Sequence, residues 1–250
     1  MHTTAAEAGR LAKAVADGVG REDRVCVGVC PPFPYLALVG EALTGSCVAL
    51  GAQNLYPAQE GAFTGEVSPT MLLDLGCTFV ILGHSECRHT LGESDAFINH
   101  KVRVALAAGL DVIFCVGETL DQREADQTAA VLDRQLMLGL AGLAAETLTH
   151  LSIAYEPVWA IGRTGHQATP QQAQDAHALI RRRFGQLFGQ AAQTLVIQYG
   201  GSVEPENAAA LLSQPGVDGA LIGGASLDAT RFLRIVQAGI RETHTDRESA

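Results

Sequence analysis

The chain has 250 residues; 47% of them are hydrophobic and 18% charged, which is typical of one large globular domain. The net charge of −10 argues against nucleic acid or an anionic membrane surface as the main partner. A small anion can still bind, because backbone N–H groups form anion sites. No C-x-x-C pair, signal peptide or membrane span is recognised, so we expect reduced thiols, no metal and a cytoplasmic location.

The first predicted element is an amphipathic helix. Thr4 and Glu7 have the spacing of a capping box, apolar residues recur at helical spacing from Ala8 to Val19, and Gly18 suits a helix C-cap. Because this helix begins about four residues into the sequence, no strand is predicted before it.

Seven short, nearly continuous apolar runs follow, as expected of parallel strands buried on both faces. They span residues 24–30, 47–54, 78–84, 111–118, 151–159, 195–202 and 219–224. Helical patterns alternate with them, which predicts an α/β fold, a (β/α)8 barrel without its first strand, with seven strands and eight helices. No G-x-G-x-x-G opens a helix, which argues against a Rossmann domain. We expect one barrel domain over 1–250 with a frayed tail over 241–250.

The catalytic and binding residues of such a barrel lie at the carboxyl ends of its strands. His84 ends the third run just before a predicted helix. A lone histidine is more often structural, but a helix N-terminus favours a neutral ring that donates to a carbonyl. Glu156 ends the fifth run and could form a salt bridge, or act as a general base if burial raises its pKa. Pro157 stiffens the start of a glycine-containing loop, which we predict to be a lid.

Glycine pairs end the last two runs, in the segments YGGS and IGG. Such pairs are usually turns, but in the final two loops of a barrel they match a phosphate site. Glycine lets backbone N–H groups approach a phosphate, and Ser202 adds a hydroxyl donor. A base, a neutral donor, a phosphate site and a lid together predict proton abstraction next to a carbonyl of a small phosphorylated substrate, without a cofactor.

The segments ILGHSECR, CVGET, AYEPVWAIG, YGGSV and GALIGGASL have the order and spacing found in triosephosphate isomerases, and the sequence resembles that family from residue 1 to about 240. The resemblance implies a cytoplasmic, homodimeric, cofactor-free enzyme of glycolysis and gluconeogenesis. It implies that Glu156 shuttles a proton between two carbons of dihydroxyacetone phosphate and D-glyceraldehyde 3-phosphate while His84 polarises the carbonyl. This family is itself the standard example of such a pair, so these roles follow from the resemblance alone.

The resemblance also assigns further residues. The phosphate ligands would be Gly165, Ser202, Gly223 and Gly224, with Glu86, Cys115 and Gly201 in supporting positions, and the loop around Thr64 would enter the partner subunit.

The sequence departs from the family where the family carries N-W-K-M-N after its first strand. Met1 aligns with the methionine of that motif, so the asparagine and the active-site lysine are not in the sequence. Lys13 and Lys101, the two lysines present, lie in predicted helices and cannot replace that cation. Losing one preorganised donor costs about 3–4 kcal/mol, or ~10²–10³ in rate, so we expect severely reduced turnover.

Two smaller departures follow. The lid reads IGRTGHQAT, one residue longer than the usual I-G-T-G-K-x-A-T, and Arg163 in the insertion could approach the phosphate or stay solvated. Cys87 replaces the first arginine of H-S-E-R-R, which removes one ion pair and keeps Arg88.

Two functions of different classes are therefore compatible with the sequence. The first is a triosephosphate isomerase of impaired turnover, which a start assigned at an internal methionine would explain. The second is a catalytically inactive barrel that binds a phosphorylated ligand or serves as an interaction scaffold. The lid motif argues against a third class, another phosphate-binding barrel enzyme.

Overall fold

The computed structural model describes residues 1–162 and 167–248, with side chains up to residue 240. Its centre is a parallel sheet whose seven strands are neighbours in chain order. The strands are β1 (Gly28–Val29), β2 (Ala49–Ala52), β3 (Phe79–Leu82), β4 (Asp111–Val116), β5 (Leu151–Tyr155), β6 (Val196–Tyr199) and β7 (Gly219–Ala220). Each strand lies inside one of the predicted apolar runs, so the predicted order is confirmed.

The inner strands β2 to β5 are largely buried on both faces, as their continuous apolar sequences predicted. Phe114 in β4 pairs with Leu82 of β3 and Ile153 of β5, and all three side chains are fully buried in the main core. Successive strand residues point to opposite faces. Their neighbours Cys115 and Ala154 therefore belong to a second, smaller apolar cluster on the other face of the sheet.

Ten α-helices lie in the part of the chain that the structure describes. They are α1 (Ala5–Val19), α2 (Leu36–Ala42), α3 (Pro69–Asp74), α4 (Ser85–His89), α5 (Asp95–Ala108), α6 (Leu120–Glu124), α7 (Thr128–Gly139), α8 (Pro170–Phe188), α9 (Ala208–Leu212) and α10 (Ala229–Glu248). Eight occupy the predicted positions, one before β1 and one after each strand, whereas α4 and α6 are additional short helices. None of the described helices is both long and apolar enough to cross a membrane.

The sheet is open at both ends. Within residues 1–162 and 167–248, β1 pairs with β2 alone and β7 with β6 alone, and each of these edge strands has two residues. A closed barrel would instead pair its first and last strands. The architecture is therefore the predicted α/β barrel wall of seven strands that lacks one strand.

The first helix begins where the sequence predicts and ends later. Thr4 is its N-cap and forms the capping box with Glu7. The prediction that Gly18 caps the helix is wrong, because the C-cap is Gly20 with a φ of 60°. Gly18 faces Leu233 of α10 so closely that a Cβ would clash, so its role is close helix packing. At the other end of the chain, α10 continues to Glu248, and fraying over 241–250 stays a prediction.

Candidate active site

His84 and Glu156 meet at the carboxyl edge of the sheet. After β3, Gly83 turns the chain out of the sheet with a φ of 74°, and His84 follows as the N-cap of α4. Glu156 follows β5 directly. The Nε2 atom of His84 lies 2.9 Å from Oε1 of Glu156. The structure thus brings together the two side chains that the sequence marked as base and donor.

The Glu156 carboxylate is buried, with 2% of the residue exposed. Its Oε2 accepts a 2.7 Å hydrogen bond from the backbone N–H of Ser85, the first residue of α4. Glycines at two neighbouring strand ends make room for it. A Cβ on Gly117 would overlap the Glu156 carbonyl, and a Cβ on Gly200 would lie 2.9 Å from its Cγ. Each oxygen of this carboxylate therefore has a defined partner in a closely packed site.

When the His84 ring is neutral, a backbone N–H of α4 selects the tautomer that carries its proton on Nε2. The backbone N–H of Glu86 donates to Nδ1 over 3.2 Å, so the network assigns the ring proton to Nε2, which faces Glu156.

The pKa of His84 depends on more than the helix N-terminus. Burial acts to lower the pKa of His84, but the hydrogen bond and the charge of Glu156, followed by the charge of Glu86, outweigh it and raise the pKa above its ordinary value. The neutral ring expected at the helix N-terminus therefore stays a prediction, and in this structure Glu156 opposes it. The carboxylate of Glu156 lies at hydrogen-bond distance from the ring and favours its protonated form.

Two predicted supporting residues lie next to this pair. The side chain of Glu86 is 81% exposed, with its carboxylate 3.9 Å from Nδ1 of His84, so its closer contact is through its backbone. Cys115 is fully buried in the smaller apolar cluster. Burial, followed by the charge of Glu156, raises the pKa of its thiol well above the ordinary value, so Cys115 is neutral.

The predicted phosphate ligands follow the adjacent strands β6 and β7. The backbone N–H of Ser202 donates to the Ala160 carbonyl over 2.9 Å, which ties the end of β6 to the loop after β5. Gly223 and Gly224 are exposed, with open space where a Cβ would stand. Gly224 also begins a 3₁₀ helix, so its backbone N–H is among those available at a helix start.

Three further predicted positions complete this end. Gly201 packs against the Tyr199 ring so closely that no side chain would fit. Gly165 and Arg163 lie outside the described residues, as does the middle of the predicted lid.

Neither lysine lies beside His84 and Glu156. Lys13 pairs with Asp17 on the exposed side of α1. Lys101 is buried in α5, where its Nζ lies 2.5 Å from Glu93 Oε1 and 2.9 Å from Asn54 Oδ1. Both positions agree with the prediction that neither lysine supplies the family's active-site cation.

Sequence reasoning missed a buried polar cluster around Glu118, which follows β4. This fully buried carboxylate accepts hydrogen bonds from the Tyr155 hydroxyl at 3.0 Å, Trp159 Nε1 at 2.9 Å and Arg123 at 3.2 Å. The Arg123 guanidinium also lies 4.5 Å from the centre of the Trp159 ring. Since Trp159 lies at the start of the loop that is predicted to be a lid, the cluster anchors that end of the loop. A charged residue at a strand end was the only sequence signal.

Comparisons with known proteins agree with this geometry. The sequence model of the triosephosphate isomerase family matches residues 1–239. A triosephosphate isomerase of Rhodopirellula baltica is 52% identical over 239 residues, which are 95% of this chain and 94% of the relative. One of Carboxydothermus hydrogenoformans is 52% identical over 241 residues, 96% of each chain, and one of Chloroflexus aurantiacus is 51% identical over 238 residues, 94% of each. The chain therefore belongs to the triosephosphate isomerase family.

Proposed function

We propose that this protein interconverts dihydroxyacetone phosphate and D-glyceraldehyde 3-phosphate by proton transfer through Glu156. The observation that carries the proposal is the buried Glu156 carboxylate, 2.9 Å from the His84 ring at the carboxyl edge of a barrel-type sheet. A general base must lie within reach of the proton it removes, and a donor that polarises the adjacent carbonyl stabilises the charge that develops there. The family assignment supports the same chemistry.

We propose that His84 donates from Nε2 to the substrate carbonyl. In this structure Nε2 faces Glu156, which also raises the pKa of the ring. A substrate that separates the two side chains removes that influence. Burial and the Glu86 N–H at Nδ1 then both favour the neutral ring, which donates to a carbonyl without transferring a full charge. Glu86 would support the pair through that backbone contact, and Cys115 would support it as an uncharged neighbour of Glu156.

We propose that the phosphate binds at the ends of β6 and β7. Ser202 would supply its hydroxyl, and Gly223 and Gly224 their backbone N–H groups. The open space beside both glycines and their place at the start of a 3₁₀ helix support this. A side chain at Gly201 would clash with the Tyr199 ring, so glycine keeps the backbone of this loop packed closely on β6. Gly165 is the remaining proposed ligand. Neutral donors of this kind explain how a chain of net charge −10 can hold an anion.

We further propose that the protein is cytoplasmic, forms one domain and acts as a homodimer through the loop between β2 and α3. In that loop the ring of Phe63 is 42% exposed and stacks 4.4 Å from Tyr56, next to the exposed Thr64. An exposed aromatic side chain held in place by a second ring is a typical interface anchor. Sedimentation of the Thr64→Glu variant, expected to be monomeric, tests this proposal.

The activity is tested with the 250-residue chain and D-glyceraldehyde 3-phosphate. We expect isomerisation that is slow, because both lysines are engaged away from the site. Adding an N-terminal segment with a strand and an Asn-x-Lys motif should raise kcat by about 10²–10³-fold. Unphosphorylated dihydroxyacetone is the control and should not turn over. If neither form isomerises the substrate but both bind it, the protein is a binding barrel instead.

A further inference from the structure

We propose that Arg88 is a positioning residue that holds His84 against Glu156 by fixing the carbonyl ends of two neighbouring strands. The inference rests on the proposed function, since it assigns a task to a residue outside the reacting pair. Arg88 belongs to α4, the short helix that His84 caps, and its side chain is 7% exposed. It touches neither the His84 ring nor the Glu156 carboxylate in any hydrogen bond found among the described residues.

Each nitrogen of the Arg88 guanidinium has one partner. The Nε atom donates to the Gly83 carbonyl over 2.7 Å, and Nη2 donates to the Cys115 carbonyl over 2.9 Å. The third nitrogen, Nη1, donates to Oδ1 of Asp95 over 2.6 Å. A planar guanidinium presents these donors in a fixed fork, so the three acceptors are held in one geometry.

The two carbonyls lie just beyond the last pair between β3 and β4, although β4 goes on to pair with β5 through Val116. That last pair is formed by Leu82 and Phe114, and Gly83 and Cys115 follow them. Buried carbonyl groups beyond the last rung of a ladder need another donor. Arg88 supplies these donors, and its side chain thereby bridges the ends of the β3–β4 ladder. A Cβ on Gly83 would lie 2.9 Å from Nη2, so only glycine permits this approach.

Both carbonyls are next to the backbone that carries the reacting pair. Gly83 directly precedes His84 in the chain. Cys115 directly precedes Val116, whose carbonyl accepts a 2.8 Å hydrogen bond from the backbone N–H of Glu156. Fixing the Gly83 and Cys115 carbonyls therefore restrains the backbone segment that carries His84 and the end of β4 to which the backbone of Glu156 is bonded. A displacement of about 1 Å in such a pair can cost roughly a hundredfold in rate.

A matched control exists elsewhere in the fold. Arg181 of α8 also binds two backbone carbonyls and one carboxylate. Its Nη1 donates to Ala192 at 2.7 Å and Leu195 at 2.9 Å, and its Nη2 to Asp218 at 2.7 Å. Leu195 directly precedes β6, so this fork lies at the amino edge of the sheet, opposite His84 and Glu156. A merely structural role of Arg88 should make the two arginines respond alike to substitution.

The first test compares the steady-state kinetics of Arg88→Lys and Arg181→Lys. Lysine keeps the charge and loses the fork. We expect Arg88→Lys to lower kcat by about ten- to a hundredfold and to change KM less than about twofold, because the phosphate site lies on β6 and β7. Arg181→Lys should lower Tm and keep kcat. Equal losses of kcat in both variants would overturn the proposal.

The second test does not depend on turnover, so it separates this inference from the proposed activity. The His84 ring is titrated by NMR in the wild type and both lysine variants. Its signal is assigned by its loss in His84→Gln. The charged groups whose fields reach the ring are Glu156 and Glu86. If Arg88 holds the pair together, Arg88→Lys should lower the pKa of His84 and Arg181→Lys should not.

An unchanged His84 pKa in a folded Arg88→Lys protein would contradict the proposal even if the chain isomerises no triose. If Arg88→Lys does not fold, Arg88→Gln gives the same comparison, because glutamine also loses the fork that binds the Gly83 and Cys115 carbonyls. A lowered His84 pKa in that variant supports the positioning role, and an unchanged pKa overturns it.

Discussion

At the scale of single residues, Glu156 is held by contacts from two directions. Ser85 holds one carboxylate oxygen through its backbone N–H, and His84 lies at the other. The positions of His84 and Glu156 at strand ends were readable from the sequence. Their contact was not, since it depends on a distance between residues far apart in the chain. The raised pKa of His84 was missed for that reason.

Replacing Glu156 by glutamine removes the proposed base and keeps the shape of the side chain. We expect kcat to fall by roughly 10²–10⁴-fold, the usual contribution of a general base. Steady-state kinetics with D-glyceraldehyde 3-phosphate measures this, and Glu41→Gln, an exposed change on α2, is the control. A Glu156→Gln protein with more than about a tenth of the wild-type kcat would refute the assignment of the base.

The same substitution predicts a change in the titration of His84. The Glu156 carboxylate is what raises the pKa of the ring against the effect of burial. With a neutral amide at position 156, burial dominates, and the pKa of His84 should fall below about 6.5, the usual value for histidine. NMR titration of the ligand-free protein measures it. A pKa that stays above that value would show that a group other than Glu156 stabilises the protonated ring.

At the scale of elements, one helix side chain fixes the end of β4. Gln135 of α7 is buried, accepts from the Gly117 N–H at 2.8 Å and donates to the Gly117 carbonyl at 3.1 Å. Gly117 is the residue that packs on Glu156. The start of α1 was predictable from its capping box, and a helix was predicted after His84. The contact of Gln135 was not predictable, because no local pattern distinguishes it from an exposed helical glutamine.

Replacing Gln135 by leucine should leave both backbone groups of Gly117 buried and without partners. Each such group costs about 1–3 kcal/mol, so we expect the free energy of unfolding to fall by roughly 2–6 kcal/mol. Urea unfolding measures this, and Gln171→Leu is the control, because Gln171 is exposed and bonds only an i+4 side chain, Asp175, at the surface. Equal stabilities of the Gln135→Leu protein and the wild type would contradict the account.

At the scale of the whole molecule, the strand order and the open seven-stranded sheet followed from the repeat of apolar runs and helices. What the repeat could not predict was how α8 packs on the sheet. Its His177 is fully buried beside the rings of Tyr155 and Tyr199, with Nδ1 2.9 Å from the Gly216 carbonyl. Burial lowers the pKa of His177 to about 4, despite that hydrogen bond.

This buried histidine should make the fold less stable in acid. Above about pH 6.5 the ring is neutral in both the folded and the unfolded chain, so it adds no pH dependence. As the pH falls towards 4, the unfolded chain takes up a proton and the folded chain does not. The cost reaches about 3 kcal/mol. Urea unfolding at pH 7 and pH 5 should show a smaller loss in His177→Gln than in the wild type. The exposed His2→Gln is the control, and identical losses in all three proteins would exclude His177 as a cause.

The central claim is that Glu156 carries a proton between two carbons of a triose phosphate. Isomerisation of dihydroxyacetone phosphate in D₂O tests it most directly, with the product analysed by NMR. A carboxyl group that has taken a proton exchanges it with solvent, so glyceraldehyde 3-phosphate should carry deuterium at the carbon beside its aldehyde. Product with only hydrogen at that carbon, formed at the same rate by the Glu156→Gln variant, would contradict the account.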